Sequence, residues 1–170
     1  TQNRMTVTRC YTDGAVCLPE KLREDRDRHF LNGFTLCNDA TLKGGQRIGD
    51  PTELALLDMS ALFDIERQRL EKKYRRTDEI AFDSKRKRMS TLHQNQGKGI
   101  CYTKGSPDEI LARCKYIQID GRKQTMTDFN RGQIERALDK FTGMALRVLA
   151  LGIRENVDGI HEEGLTYIGM

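Results

Sequence analysis

The run CYTKGSPDEIL, Cys101 to Leu111, changes character at its centre. Cys101 to Lys104 reads as a strand end. Ser106, Pro107 and Glu109 then take the N-cap, first and third positions of a helix, the S-x-x-E capping box with proline at N1. A helix start accounts for those three residues. It leaves Lys104 and Gly105 over, a cation and a permissive backbone joint between strand and helix.

Working outward, NQGKG (residues 95–99) is a turn, and DEIAFDSKRKRMSTLHQ (78–94) alternates at Ile80, Phe82, Met89 and Leu92, so the two sides form a hairpin. Upstream, GDPTELALLDMSALF (49–63) is a helix with Asp50 as cap, Pro51 first and Glu53 third. Leu54, Leu57, Ala61 and Leu62 are its expected inward face. DIERQRLEKKYRR (64–76) continues as a charged amphipathic stretch. TLKGGQRIG (41–49) reads as a loop, and Phe30, Leu31, Phe34, Leu36 and Cys37 as one face of a helix. RMTVTRCYT (4–12) reads as a strand, with AVCL (15–18) returning beside it. Downstream, YIQIDGRKQTM (116–126) is a strand and turn. DFNRGQIERALDKFTGM (128–144) is a helix with Asp128 near its cap and Gly143 near its end. ALRVLALGIRE (145–155) and LTYIGM (165–170) are apolar strands. This order predicts an α+β domain, a mostly antiparallel twisted sheet flanked by helices. Both ends read as strands; if they are neighbours, the domain suits insertion into another.

The length of 170 residues fits one domain spanning 1–170. Hydrophobic residues make up 37% and charged residues 32%, polar but within the globular range. Lys and Arg number 29 against 25 Asp and Glu, so the net charge of +4 argues against a general nucleic-acid surface. The five cysteines are odd in number and form no C-x-x-C pair, which points to reduced thiols in a cytosolic compartment, and the three histidines have no zinc spacing. No apolar run reaches the roughly 18 residues of a membrane span, and there is no phosphate-loop motif G-x-x-x-x-G-K-[ST]. The chain opens on Thr1 rather than Met, as a piece of something longer would.

Four segments, GDPTELALL (49–57), FDSKRKRMS (82–90), TKGSPDEIL (103–111) and LRVLALG (146–152), resemble in order and spacing the nucleotide-binding domain of P-type cation-transporting ATPases, closest to the calcium-pump and sodium-pump branch. TQNRMTV (1–7), LCNDA (36–40) and LTYIGM are similar to the family as well, so the likeness covers nearly the whole chain. It implies an ATP-binding domain on the cytoplasmic side of a membrane protein, with Mg2+ accompanying the nucleotide. The partners implied are the phosphorylation and membrane domains of the same full-length chain, and calcium as the cargo. The family's phosphorylated aspartate sits in D-K-T-G-T, which is absent here. The expectation is therefore ATP binding by a monomeric piece that presents the terminal phosphate to an aspartate elsewhere and hydrolyses nothing alone.

A nucleotide needs a flat apolar face, an acceptor for its amino group and cations for its phosphates. Stacking on a base contributes roughly 1–3 kcal/mol; pattern alone favours Phe82 as a core residue, and the resemblance makes it the candidate ring. Glu53 can accept from an exocyclic amine or serve as the third residue of a capping box, and Thr52 is its neighbour. Lys87 and Lys104 match the lysines that the resemblance implies line the pocket, with Gly105 giving a tight turn or close approach; an exposed strand lysine is the plain alternative for Lys104. Arg147, in the apolar ALRVLAL, needs an acidic partner or an anionic ligand, with Leu149 beside it. Met89 packs under the base or fills the core. In the run Ser84, Lys85, Arg86, Lys87, Arg88, alternation on a strand puts Lys85 and Lys87 on one face and Arg86 and Arg88 on the other. Which of Ser84, Lys85 and Arg86 meets phosphate stays open. The alternative function is a nucleic-acid or anionic-surface module built on residues 84–88.

Overall fold

A computed structural model describes residues 4–170. Its main sheet joins β1 (Cys10–Thr12), β2 (Ala15–Cys17), β5 (Arg75–Asp83), β6 (Arg88–Asn95), β7 (Lys98–Gly105), β8 (Cys114–Ile119), β9 (Arg122–Thr125), β10 (Ala150–Glu155) and β11 (Leu165–Gly169). The order across it is β2-β1-β11-β10-β7-β6-β5, with β8 pairing parallel to β11 and β9 closing on β8. The other pairings are antiparallel, so the expected α+β class holds.

The period-2 alternation of β10 explains the layering. Leu151 and Ile153 point into a core with Phe30, Leu31, Phe34, Leu56 and Met59. Ala150 faces the other way, toward Ile110, Ile134, Phe141 and Leu165. The first layer belongs to α1 (Arg28–Leu36) and α2 (Pro51–Ala61), the second to α4 (Pro107–Ala112) and α5 (Asp128–Gly143), with α3 (Arg67–Lys73) at the margin. Each fully buried aliphatic or aromatic side chain contributes about 1.5–3 kcal/mol. Helix α1 lies so close to β10 that a Cβ on Gly33 would run into Leu151 Cδ2 and stand 3.0 Å from Tyr102 Cδ1.

Several local expectations change. Arg4 to Arg9 form no strand; only Cys10–Thr12 finds neighbours, β2 through a two-residue turn with Asp13 and Gly14 at φ 55° and 79°, and β11 on the other side. Residues 1–3 of the TQNRMTV likeness lie outside the described residues. The expected loop at 41–49 contains a hairpin, β3 (Thr41–Lys43) with β4 (Gln46–Ile48). It covers α2 from a second side, so Leu54 and Leu57 pack on Ala40 while Leu56 and Met59 face the main core. Ala61 and Leu62, expected inside, are exposed because the helix ends there. Helix α5 is capped by Thr127, not Asp128, through a reciprocal box with Asn130. Ser106 makes no side-chain capping hydrogen bond, and the Glu109 carboxylate turns to Arg88 and Arg113 rather than back to the cap.

The first strand, β1, and the last residue, Met170, are neighbours. Tyr11 N donates to Met170 O at 2.7 Å, and Met170 N returns a bond to Tyr11 O at 2.9 Å.

Candidate functional site

Lys104 is the residue around which the candidate site is built. Its register partners are Met89 on β6 and Leu151 on β10. Phe82 lies in the irregular stretch of β5 between the Ile80–Ser90 and Asp83–Arg88 pairs, opposite the same end of β6. Residues 82, 89, 104 and 149–151 thus fall at one end of four successive strands. Lys104 is only 4% exposed, and a buried ammonium without a partner is costly. Glu53 supplies the counter-charge, with Lys104 Nζ 3.3 Å from Glu53 Oε2.

Glu53 is itself held firmly. Its Oε2 also accepts from Asp39 N at 2.6 Å, while its backbone carbonyl accepts from Asn38 Nδ2 at 3.0 Å. The capping-box alternative is therefore not what Glu53 does: Asp50 alone caps α2, accepting from Thr52 N at 2.8 Å. Asn38 and Asp39 belong to the LCNDA segment, to which sequence reasoning gave no role. Arg76 pins that segment, donating to Leu36 O, Asn38 O and Asp39 Oδ1, each at 2.8 Å.

The remaining candidates divide between core, rim and cavity. Met89 is 2% exposed and sits in the main core, with Leu149 packed against the same cluster. Phe82, at 59% exposed, is a rim residue and not a core residue. Gly105 is used by packing within the sheet: a Cβ there would collide with Lys87 O and stand 2.8 Å from Arg88 Cα. Arg147 is exposed and is not on a strand, because β10 begins only at Ala150. Ala150 pairs with Gly105, and the next residue on β7's side, Ser106, already starts a helix, so Leu149 has no strand to pair with. Arg147 and Leu149 instead line a cavity of about 230 Å³ together with Thr52, Met5, Phe34 and Met170. Phe82, Lys87, Met89 and Lys104 lie outside that lining. The two groups meet where Thr52 adjoins Glu53 and where Leu149 adjoins the Ala150–Gly105 pair.

The basic run also departs from expectation. Ser84 to Lys87 form a turn rather than a strand, so they do not alternate. Arg86 and Arg88 converge on one carboxylate, Glu162: Arg86 Nη1 reaches Oε1 at 2.7 Å, Arg86 Nη2 reaches Oε2 at 2.8 Å, and Arg88 Nε reaches Oε1 at 3.2 Å. Ser90 Oγ donates to Oε2 as well. Burial opposes the charge on Glu162, but the Arg86 and Ser90 hydrogen bonds and the two guanidinium charges outweigh it and hold the carboxyl at about 2. Ser84 and Lys85 are exposed, and Lys87 is exposed with φ at 57°. Sequence reasoning missed Glu162; HEEGL (161–165) reads as an ordinary polar loop, and nothing local points to partners more than seventy residues away.

Among the described residues no helix is long and apolar enough to cross a membrane, and no cluster of three metal-ligating side chains forms.

Comparison with known proteins bears on the whole chain. It is 39% identical over 177 residues to calcium-transporting ATPase 1 of Bacillus cereus, an alignment covering 100% of this chain and 20% of that protein. It is 38% identical to a calcium-transporting ATPase of Listeria monocytogenes, over 91% of this chain and 18% of the other. A calcium-transporting ATPase of Lactococcus lactis is 36% identical, over 98% and 19% respectively. The chain thus spans about a fifth of the length of these curated relatives. The family described as P-type ATPase, cytoplasmic domain N, matches residues 27–170. The chain belongs to the P-type ATPase family, as its cytoplasmic domain N.

Proposed function

We propose that this domain binds ATP, with accompanying Mg2+, and presents the terminal phosphate to an aspartate on another domain of a cation pump. The observation that carries the reading is the row of residues at one end of β5, β6, β7 and β10: an exposed ring at Phe82, a buried ammonium at Lys104, and the Glu53 carboxylate between Asp39 and Lys104. Phe82 offers its face to the base. Glu53 Oε2 is occupied by its two protein donors, which orients Oε1 as the acceptor for an exocyclic amine. Lys87, at the exposed turn, and Arg147, exposed in the cavity lining, supply charge for the phosphates. Calcium as cargo is carried over from the names of the relatives.

Transfer of the phosphoryl group would depend on closure against the second domain, which sets donor and acceptor in line. This chain by itself then binds nucleotide without turning it over. The nucleic-acid alternative has little to stand on, because Arg86 and Arg88 already spend their charge on Glu162 and Glu109.

Isothermal titration tests the proposal. The chain should bind ATP saturably, bind GTP more weakly, and release no phosphate during hours of incubation. Steeply salt-dependent binding of single-stranded DNA or RNA with no response to ATP would replace this reading by the nucleic-acid one.

A further inference from the structure

The Ser84–Lys87 turn holds its shape against a cost. Lys87 occupies the left-handed region, which disfavours a side-chain-bearing residue by about 1–2 kcal/mol. Such a residue persists only where its surroundings over-determine it. Here the backbone is tied on three sides. Lys87 N donates to Asp83 O at 2.6 Å, Asp83 Oδ1 accepts from Lys85 N at 2.6 Å, and Lys87 O accepts from Ser106 N at 3.0 Å. The last bond sets the turn directly on the Lys104–Gly105 strand end, where Gly105 leaves room for it.

The side chains of the turn are tied by one residue from elsewhere. Glu162, in the segment before β11, reaches across to Arg86, Arg88 and Ser90. Arg88 also touches Glu109 at 3.4 Å and Arg86 O at 3.1 Å. Two guanidinium groups therefore lie side by side with a single carboxylate between them. Without it Arg86 would lose its carboxylate partner and be repelled by Arg88, which Glu109 still holds, and the turn would move with Arg86.

We propose that Glu162 is a positioning residue for the nucleotide site: by clamping Arg86 and Arg88 it fixes the 84–87 turn and so aims Lys87 at the phosphate side. The inference rests on the ATP reading given above. It also has a sign that distinguishes it from simple electrostatics. Removing a negative charge near an anion should tighten ATP binding; losing the clamp should loosen it.

The test is the affinity of this chain for ATP and for adenosine, by calorimetry, in the natural sequence and in Glu162→Gln. The expected result is ATP binding weaker by about fivefold, the worth of one misplaced hydrogen bond, with adenosine affinity unchanged. In a Lys87→Ala background, Glu162→Gln should have no further effect on ATP. Glu162→Asp, which keeps the charge, should recover part of the loss. Should Glu162→Gln fail to fold, Arg86→Ala cuts the same clamp from the turn side and is read through the same cycle with Lys87→Ala. If the unaltered chain binds ATP and Glu162→Gln binds it equally or more tightly, the clamp is overturned and the nucleotide reading stands. Equal losses for ATP and adenosine, or a full further loss in the Lys87→Ala background, overturn it too. If the unaltered chain binds no ATP, both fall together.

Discussion

The Glu53–Lys104 pair and the Phe82–Lys87 rim stand at the same end of the sheet and are built in opposite ways. Lys104 is buried and Glu53 half-buried beside it, with the carboxylate gripped by Asp39 as well as by the ammonium. The rim is exposed: Phe82 projects from an irregular strand end, and Lys87 rides a four-residue turn. A buried charge without its partner is costly, so the pair serves the fold whether or not a ligand arrives. An exposed ring and lysine contribute little to the fold. Their worth lies in what they meet. Under the ATP reading, the contrast separates a pre-set floor from a rim open to the nucleotide.

Lys104→Glu should break the contrast most severely. It puts two carboxylates where one ion pair stood, and stability in urea should fall by about 3 kcal/mol or more. A loss below about 0.5 kcal/mol, the usual effect of a surface change, would make the floor no different from the rim. Phe82→Ala should do the reverse. Under the ATP reading it weakens nucleotide binding by roughly 1–3 kcal/mol, while urea stability stays within about 0.5 kcal/mol. An unfolded Phe82→Ala chain, or one with full ATP affinity, would remove the ring from the rim.

The floor was only half legible in the sequence. Asp50, Pro51 and Glu53 announce α2, and the change of period at Lys104–Ser106 announces the strand-to-helix junction. Both are local signals, and both match the structure. That Glu53 and Lys104 face each other is a tertiary fact with fifty residues between them, invisible to any local window. Strands failed to read correctly for a related reason. Arg4–Arg9 alternates well, and Leu146–Leu149 is apolar apart from Arg147, but a strand exists only where a neighbour supplies hydrogen bonds, and those neighbours end at Cys17 and Gly105. The β3–β4 hairpin was missed because each arm has three residues and both faces are largely polar. Residues 84–88 read as a basic strand because nothing nearby reveals Glu162.

A pH titration sharpens the account at the turn. Glu162 is held at about 2 against an ordinary 4.5. Between those values the unfolded chain binds the proton and the folded chain does not, so the stabilisation is full above about pH 4.5 and fades as pH falls toward 2. Acid unfolding over that window should therefore be steeper for the natural sequence than for Glu162→Gln. Identical acid limbs would mean that the ion cluster contributes nothing to stability.

The smallest expected effect concerns the thiols. Cys17 is half-buried, and a hydrogen bond from Cys10 lowers its thiol below the ordinary range. Burial pushes Cys37 up to about 11 and Cys114 up to about 12. Alkylation near neutral pH should modify Cys17 first and leave Cys37 and Cys114 protected until the chain unfolds. Labelling of all five at one rate would contradict the buried floor.

Amide shifts on adding ATP test the central claim most directly. A titration followed residue by residue should move Phe82, Lys87, Lys104 and Arg147 together, saturably and with one shared dissociation constant. Shifts that are absent, that follow separate constants, or that cluster on the opposite face around α5 would contradict a single nucleotide site at this end of the sheet.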